Sequence, residues 1–406
     1  MLNGKTVILG ISGGIAAYKS AYLVSRLKKE GAEVHVIMTE NACRFISPLT
    51  FETLSGHRCI TDTFDRNHEF SVEHVELAKM ADIFMVAPAT ANVIAKLSHG
   101  IADDMLTTTF LACDCPKYVA PAMNTKMYEN PVTKDNLTTL KKYGVQVIEP
   151  ASGYLACGDV GAGKMPEPEV LFAYIERQIA RTKDMAGKRV LVTAGATCES
   201  MDPVRYITNH STGKMGFAMA KECMLRGADV IIVKAATTAE APLFCHTVGA
   251  LSAADMFREV TSRSDAADIV IMAAAVSDYT PLHVSDQKVK KADGGLNLEM
   301  KRTLDILAHL GSHRHEGQFL CGFSMETENM VENSKAKLSK KNVDMIIANN
   351  LKDEGAGFGT DTNLITLITA DDVHQYELMG KDQVAHEVIN NIIKLSSNPV
   401  LRREIK

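Results

Sequence analysis

The sequence predicts an α/β protein made of two doubly wound domains, and three observations carry that reading. Residues 4–14 read GKTVILGISGG and residues 187–197 read GKRVLVTAGAT. Each is a Gly-Lys turn, a short β-branched apolar run and a small-residue loop that opens into a helical stretch. Each start is followed by a matching phrase, Gly31-Ala32-Glu33-Val34 in the first half and Gly227-Ala228-Asp229-Val230 in the second. Strand, glycine loop, helix, strand is the βαβ unit that places phosphate groups on a helix N-terminus. The third observation is length: 406 residues exceed what one hydrophobic core organises. The polar stretch Thr182–Lys188 reads as the linker, which gives domains 1–182 and 186–406.

Apolar runs bounded by turn residues mark the strands. In the first half these are Val7–Leu9, Val34–Met38, Ile83–Ala87, Tyr118–Pro121 and Val145–Ile148. Tyr18–Glu30, Ile94–His99 and Asn136–Tyr143 read as the helices between them, and Val170–Arg181 as a closing helix. The second half repeats the rhythm with Val190–Thr193, Val230–Lys234, Ile269–Ala273, Phe319–Phe323 and Met345–Asn349. A hairpin-like Leu364–Thr369 and a final helix Lys381–Leu395 follow. Alternation of this kind predicts parallel sheets covered on both faces.

Composition narrows the function. Apolar residues make up 46% and charged residues 23%, as in ordinary globular proteins. A net charge of −5 gives no general attraction to nucleic acid or to an anionic membrane. No basic-then-apolar leader and no long apolar run stands in the sequence, so a cytoplasmic protein is expected. Nine scattered cysteines, an odd number, fit a reducing compartment rather than a disulfide scaffold. Cys113 and Cys115 form a Cys-x-Cys pair, but no second pair stands at zinc spacing.

The loop Gly10-Ile11-Ser12-Gly13-Gly14 follows a strand and opens a helix. Its small residues let backbone amides approach a phosphate, with the Ser12 hydroxyl as a further donor. It lacks the GxGxxG spacing, so it reads as a mononucleotide phosphate loop or simply as a tight strand-to-helix turn. Thr39 stands at the carboxyl end of the next strand, where ligands of open α/β sheets collect. Pro88-Ala89-Thr90-Ala91-Asn92 leaves a third strand, Gly100–Asp104 follows, and Pro121–Tyr128 leaves a fourth.

The set GISGGIAAYK, APATAN, GIADD and PAMNTKMY resembles the flavin-dependent cysteine decarboxylases. Gly153–Asp159 resembles that family's mobile active-site segment. End to end, the chain resembles the bacterial bifunctional phosphopantothenoylcysteine decarboxylase/phosphopantothenate–cysteine ligases of coenzyme A synthesis. Tyr128 stands where that family often has tryptophan. The resemblance implies a flavodoxin-like, Rossmann-like flavoprotein domain followed by a Rossmann-like ligase domain. It implies FMN held by Gly10, Ser12, Gly13, Gly14, Thr39, Pro88, Ala89, Thr90, Asn92 and Asp104, and catalysis by His74, Asn124 and Cys157.

Chemistry explains those residue types. A thiol-bearing carboxylate decarboxylates poorly because its carbanion has nowhere to put charge. Oxidation of the thiol to a thioaldehyde by the flavin creates an electron sink β to the carboxylate, and loss of CO₂ then gives an enethiolate. His74 acts as base or carboxylate partner, Asn124 binds the carboxylate, and Cys157 donates the proton as the flavin returns hydride. By residue type alone, His74 reads as a surface histidine and Asn124 as a turn cap. Cys157 lies among glycines rather than in an apolar core, which favours reactivity.

In the second half, Thr193–Thr197 ends a strand, and a long insertion, residues 202–216, precedes the helix. Ser211-Thr212-Gly213-Lys214 lacks Walker spacing and reads better as a helix N-terminus that receives a triphosphate. NHSTGKMG matches the ligase motif, while Ala196 and Cys198 replace the family's proline and arginine in the preceding loop. Ala273–Tyr279 leaves a strand end on small residues, and Lys288-Val289-Lys290-Lys291 then concentrates positive charge on an acidic chain. Alone, such a run reads as a solvated surface. The resemblance assigns catalysis to Asn209 and Lys288. It assigns CTP binding to Ser211, Gly213, Met272, Ala273, Ala274, Asp278, Lys288, Leu304, Asp305, Ile306, Leu307, Phe323, Lys337 and Lys341. Asp278 is the candidate ligand for Mg²⁺, and Leu304 replaces a usual proline. Lys337 and Lys341, four apart on one helix face, repel unless an anion lies between them.

The expected partners are therefore 4'-phosphopantothenate, cysteine and CTP, with no nucleic acid and no membrane. The resemblance further implies a homo-oligomer with flavin sites at subunit boundaries, a dodecamer being one arrangement left open. Two rival readings are an NAD(P)-dependent oxidoreductase and a non-catalytic regulatory flavoprotein. The first wants GxGxxG, which neither unit has; the second would have lost His74, Asn124 or Cys157, and all three are present.

Overall fold

The computed structural model describes residues 1–64, 73–154, 158–290, 296–326, 329–350 and 359–397. The chain separates into two compact units, Met1–Arg181 and Thr182–Lys406. The first unit begins with β1 (Thr6–Ile11), α1 (Ala17–Lys29), β2 (Glu33–Met38), α2 (Glu40–Cys43), α3 (Pro48–Ser55) and α4 (Glu73–Met80). It continues with β3 (Ile83–Ala89), α5 (Ala91–His99), α6 (Met105–Ala112), β4 (Lys117–Pro121), α7 (Thr125–Glu129), α8 (Pro131–Lys142) and β5 (Gln146–Val147). A hairpin of β6 (Ala151–Tyr154) and β7 (Val160–Lys164) leads into α9 (Pro168–Ile179).

Strands β1 to β5 form a parallel sheet in the order β2-β1-β3-β4-β5, the flavodoxin-like order. Side chains alternate across it as the pleat requires. Val7, Leu9 and Ile11 enter one buried cluster with Leu23 and Leu27 of α1 and Leu171 and Ile175 of α9. Ile8, Phe84 and Val86 enter another with Ile94 of α5, Leu106 and Phe110 of α6 and Leu140 of α8. Burial on both faces explains why these strands read as continuous apolar runs rather than alternating ones.

The second unit opens with β8 (Arg189–Ala194), β9 (Cys198–Ser200), β10 (Tyr206–Thr208), α10 (Lys214–Leu225), β11 (Asp229–Lys234), β12 (His246–Gly249), α11 (Ala253–Ser264) and β13 (Ile269–Met272). Next come β14 (Tyr279–Pro281), β15 (Met300–Arg302), α12 (Ile306–His313), β16 (Phe319–Glu326), α13 (Met330–Lys341) and β17 (Met345–Asn350). It closes with β18 (Thr362–Asn363), β19 (Thr366–Ile368), β20 (Val373–Gln375), β21 (Met379–Gly380) and α14 (Lys381–Ser397). The main sheet runs β12-β11-β8-β13-β16-β17-β19-β20. Its first six strands are parallel in the doubly wound dinucleotide-fold order, and β19 and β20 add an antiparallel edge. The expected hairpin at Leu364–Thr369 is this edge, with Val373–Gln375 as its second arm.

The repeated Gly-Ala-acid-Val phrase is a helix stop. Gly31 (φ 89°) and Gly227 (φ 92°) are left-handed just past α1 and α10. In both, the following alanine amide reaches back to a helix carbonyl, Ala32 to Leu27 at 3.1 Å and Ala228 to Cys223 at 3.0 Å. A side chain disfavours this conformation, which is why glycine occupies both positions.

Several elements depart from the sequence reading. Helix α5 begins at Ala91 rather than Ile94 because Thr90 caps it, and α8 begins at Pro131 rather than Asn136 because Asn130 caps it ahead of a first-turn proline. The strand expected at Val145–Ile148 shortens to β5. The expected linker Thr182–Lys188 is bound to the second unit instead. Lys183 Nζ donates to the Leu225 carbonyl (2.6 Å), the Met185 amide donates to the Arg226 carbonyl (3.0 Å), and Met185 is buried.

Helix α10 packs on β8 through Gly216, where a Cβ would lie 2.7 Å from the Thr193 carbonyl oxygen and 2.8 Å from the Ala194 Cβ. Gly216→Val must push the helix off the sheet. We expect it to destabilise the second unit by about 1–3 kcal/mol, the usual cost of overpacking, seen as a lowered thermal midpoint. An unchanged midpoint would show that this contact does not set the helix position.

Candidate active sites

Parallel strands send every following helix off from one edge of the sheet, and both candidate sites lie at that edge. In the first unit a cavity of about 440 Å³ is lined by Gly13, Gly14, Lys19, Thr90, Asn124 and Tyr154, among others. The loops after β1, β3 and β4 meet there with the hairpin β6–β7. Ser12 is the bolt between the first two loops: its buried hydroxyl donates to the Pro88 carbonyl (2.7 Å) and accepts the Thr90 amide (2.9 Å). The hydroxyl proton expected to serve a phosphate is thus given to protein. The first-turn amides of α1 already donate to the Gly14, Ile15 and Ala16 carbonyls, so the amides that can meet an anion are those of the Gly13-Gly14 turn just ahead of the helix. A Cβ on Gly13 would lie 2.6 Å from the Asn41 Cβ, so only glycine lets this turn close against α2.

The other expected flavin residues divide in two. Gly10, Thr39, Pro88 and Ala89 are buried behind the cavity; Gly10 packs against Leu106 and Phe84, and Thr39 caps α2 by accepting the Ala42 amide. Asn92 is exposed on α5, and Asp104 caps α6 in a reciprocal box with Thr107. Neither lines the cavity.

Asn124 is a turn cap, as its residue type alone suggests, and it also holds a carboxylate of the protein. Its Oδ1 accepts the Lys126 amide at 2.9 Å and so caps α7, while its Nδ2 donates to Asp159 Oδ2 at 2.7 Å. The amide side chain is fixed at the cavity wall with its NH₂ already turned to a carboxylate. The hairpin behind it is close-fitted: the Met123 amide donates to the Gly163 carbonyl at 3.0 Å, and a Cβ on Gly163 would come within 2.2 Å of the Met123 oxygen. His74 sits half-buried on the first turn of α4 and does not line this cavity. Cys157 lies outside the described residues, between the hairpin arms.

Lys19 escaped the sequence reading because a lysine on an amphipathic helix looks like any solvated one. It is almost fully buried at the cavity, where Nζ donates to Glu167 Oε1 (2.8 Å) and to the Met165 carbonyl (3.2 Å). That bond ties α1 to the chain leaving the hairpin. The Lys19 and Lys164 ammoniums in turn hold the Glu167 carboxyl below its ordinary pKa.

The second unit has a cavity of about 460 Å³ at the ends of β13 and β16. Of the expected nucleotide residues, Met272, Ala274, Asp278, Leu304, Asp305, Ile306, Leu307, Phe323, Lys337 and Lys341 line it. Asp305 caps α12 by accepting the Ala308 amide through Oδ1 (2.9 Å) and pairs with Lys341 through Oδ2. Lys337 Nζ donates to the Phe323 carbonyl at 3.0 Å. Burial pushes the Lys341 ammonium below its ordinary pKa, with Asp278 pulling the other way. The two lysines on one helix face are thus each met by a protein oxygen, the Phe323 carbonyl and the Asp305 carboxylate.

Ala273, Ser211, Gly213, Asn209 and Lys288 do not line this cavity. The loop carrying Asn209, Ser211 and Gly213 is nonetheless tied to Ala275, between the lining residues Ala274 and Val276. Ala275 donates its amide to the Gly195 carbonyl (2.9 Å), and its own carbonyl accepts Asn209 Nδ2 (3.2 Å) and the Thr197 amide (3.2 Å). Ala196 bridges both Ala236 and Ala275, and the Cys198 thiol lies 3.6 Å from the Thr208 hydroxyl, so the loop closes with alanine and cysteine at these positions. Helix α10 starts from Gly213 (φ 77°) with no side-chain cap, leaving its first amides for an anion. Among the described residues no cluster of three or more metal-type ligands is present; Asp278 is exposed, and the other carboxylate lining the cavity, Asp305, is paired with Lys341.

Comparison with known proteins agrees with this division. Residues 1–180 match the flavoprotein family, and residues 185–395 match the family of the DNA/pantothenate metabolism flavoprotein C-terminal domain. The coenzyme A biosynthesis bifunctional protein CoaBC of Bacillus subtilis is 49% identical over 98% of this chain and 98% of its own length. Its counterpart from Vibrio cholerae serotype O1 is 44% identical over 96% of this chain and 98% of its own length. Among solved structures, the C-terminal domain of a coenzyme A biosynthesis bifunctional protein aligns with a TM-score of 0.46 at 38% identity, over 53% of this chain and 98% of that one. The chain belongs to the family of coenzyme A biosynthesis bifunctional proteins.

Proposed function

We propose that the second unit joins 4'-phosphopantothenate to cysteine at the expense of CTP, and that the first unit decarboxylates the product to 4'-phosphopantetheine. The observation that supports the pairing most is that each unit has its own cavity, one lined by Gly13, Gly14, Thr90 and Asn124 and the other by most of the expected nucleotide residues. The ligase product is the decarboxylase substrate, which gives the fusion its purpose. A cytoplasmic location follows from the reaction; among the described residues no helix is long and apolar enough to cross a membrane.

In ligation a substrate carboxylate oxygen attacks the α-phosphorus of CTP, and pyrophosphate leaves. The cysteine nitrogen then attacks the acyl carbon, loses a proton, and CMP leaves. The uncapped start of α10 suits the triphosphate, and Phe323 offers a face to the base or ribose. Lys337 and Lys341 are placed for negative charge. A single carboxylate together with substrate phosphates is a common Mg²⁺ environment, so Asp278 fits that role. Asn209, held against the Ala275 carbonyl, and Lys288 act on the reacting groups.

The first cavity fits FMN: its size lies in the range of cofactor sites, and the Gly13-Gly14 turn, which only glycine lets close against α2, brings backbone amides to its wall ahead of a helix N-terminus. FMN, when bound, supplies the two-electron oxidation of the substrate thiol and its later reversal. Asn124 Nδ2 is the donor for the substrate carboxylate, in place of its present partner Asp159. The C–CO₂ bond then breaks into the thioaldehyde sink, and Cys157 gives its proton to carbon. His74 lies outside the cavity of its own unit, so the reading includes a homo-oligomer in which a neighbouring copy brings His74 to the site.

Lys288→Gln should cost several kcal/mol of transition-state stabilisation in ligation. Decarboxylation of supplied phosphopantothenoylcysteine should stay near normal. Equal loss of both activities, assayed separately, would argue against two sites. Cys157→Ser should separate CO₂ release from final product formation, because serine is a far weaker acid than a thiol. A single turnover followed by CO₂, flavin absorbance and product mass should show CO₂ released, flavin left reduced and little phosphopantetheine. Product at the normal rate would remove Cys157 from the mechanism.

A further inference from the structure

Asp202 has a side chain fully shielded by its neighbours, although it lies in the loop between β9 and β10. Both of its oxygens are used. Oδ1 accepts the amides of Val204 and Arg205, each at 2.8 Å. Oδ2 accepts Arg205 Nε (3.0 Å), Arg205 Nη2 (2.5 Å) and the amide of Val289 (3.1 Å). Arg205 Nη2 also donates to the Val289 carbonyl at 2.9 Å. One carboxylate and one guanidinium therefore grip both polar groups of a residue 87 positions along the chain. A further bond, from the Ser285 amide to the Met201 carbonyl (3.0 Å), fixes the near end of the same segment.

Residues 285–290 form neither helix nor strand, and Lys288 within them is exposed. An extended lysine on an irregular segment has no rigid element of its own to aim it. The grip on Val289 supplies that element from the opposite loop. The Arg205 guanidinium, helped by three backbone amides, holds the Asp202 carboxyl far below the usual carboxylate range, so the grip keeps its charge at any working pH.

We propose that Asp202 is a positioning residue for ligation, which acts by holding the Val289 peptide and thereby setting where the neighbouring Lys288 presents its ammonium. The proposal rests on the role given to Lys288 above.

The test uses the full-length chain. Asp202→Asn keeps the volume but loses the charge and one acceptor. Its ligation kcat should fall about 10- to 100-fold, the scale of a small misplacement of a reacting group. The KM for CTP should stay within about twofold, as expected for a group that acts in the transition state. Decarboxylation should be unaffected, and hydrogen exchange should rise in the peptide covering residues 285–290. In the Lys288→Gln background the same substitution should cost nothing further, because it acts through that lysine. Normal ligation by Asp202→Asn, or an additive loss in the double variant, overturns the proposal. Normal ligation by Lys288→Gln alone overturns the reading beneath it, whereas impaired Lys288→Gln with normal Asp202→Asn overturns only this proposal. Should Asp202→Asn lose the thermal transition of the second unit, Asp202→Glu is read by the same criteria. It keeps the charge on Arg205 while displacing the oxygen that receives Val289.

Discussion

A parallel strand can be followed by another only if the chain crosses back over the sheet, so every crossover starts at the same edge. In this protein that constraint operates twice. In the first unit the order β2-β1-β3-β4-β5 reverses between β1 and β3, and there the Ser12 hydroxyl joins the two outgoing loops. In the second unit the order reverses between β8 and β13, and Ala196 and Ala275 join the corresponding loops through backbone alone. One unit closes its crevice with a side chain and the other with peptide groups. Both leave an adjoining cavity whose walls are strand ends and helix starts.

This arrangement gives the polar residues at the edge two duties. Thr39, Thr90, Asp104, Asn124 and Asp305 each cap a helix with a side-chain oxygen. Capping contributes about 1 kcal/mol to a helix and, more to the point here, fixes the side chain before any ligand arrives. Asn124 shows the consequence: its oxygen is committed to α7 and its NH₂ to Asp159, so both ends of the amide are oriented at the cavity wall. Orientation is settled by the fold, so binding need not order the group again. The second cavity uses the same economy, with Asp305 capping α12 through one oxygen and meeting Lys341 with the other.

The strand cores were readable because both faces of each sheet are buried, which turns them into unbroken apolar runs such as Ile83–Val86. The repeated Gly-Ala-acid-Val phrase was also readable, and its cause proved to be a helix stop at Gly31 and Gly227. Helix starts were less so, because Thr90 and Asn130 serve as caps several residues ahead of the first apolar position. The hairpin β6–β7 was not read as strands; its residues, Ala151–Tyr154 and Val160–Lys164, are small and polar and gain order from Met123 and Thr125 rather than from their own pattern. The Ser12 hydroxyl, which in sequence reads as a phosphate donor, answers instead to Pro88 and Thr90. The burial of Lys19 and the grip of Asp202 on Val289 join residues far apart in the chain, and no local spacing announces either. His74 and Lys288 carry roles drawn from resemblance; in position neither lines the cavity of its own unit.

We infer that the two α/β units hold two independent sites in one chain. It is tested most directly by separating them between Arg181 and Lys183, since Lys183, Asp184 and Met185 belong to the second unit through Leu225 and Arg226. Residues 1–182 should purify with, or take up, FMN and decarboxylate phosphopantothenoylcysteine, while residues 183–406 should carry out CTP-dependent ligation without flavin. A folded, colourless first fragment that cannot be reconstituted with FMN, or a second fragment that ligates only when the first is added, would contradict it.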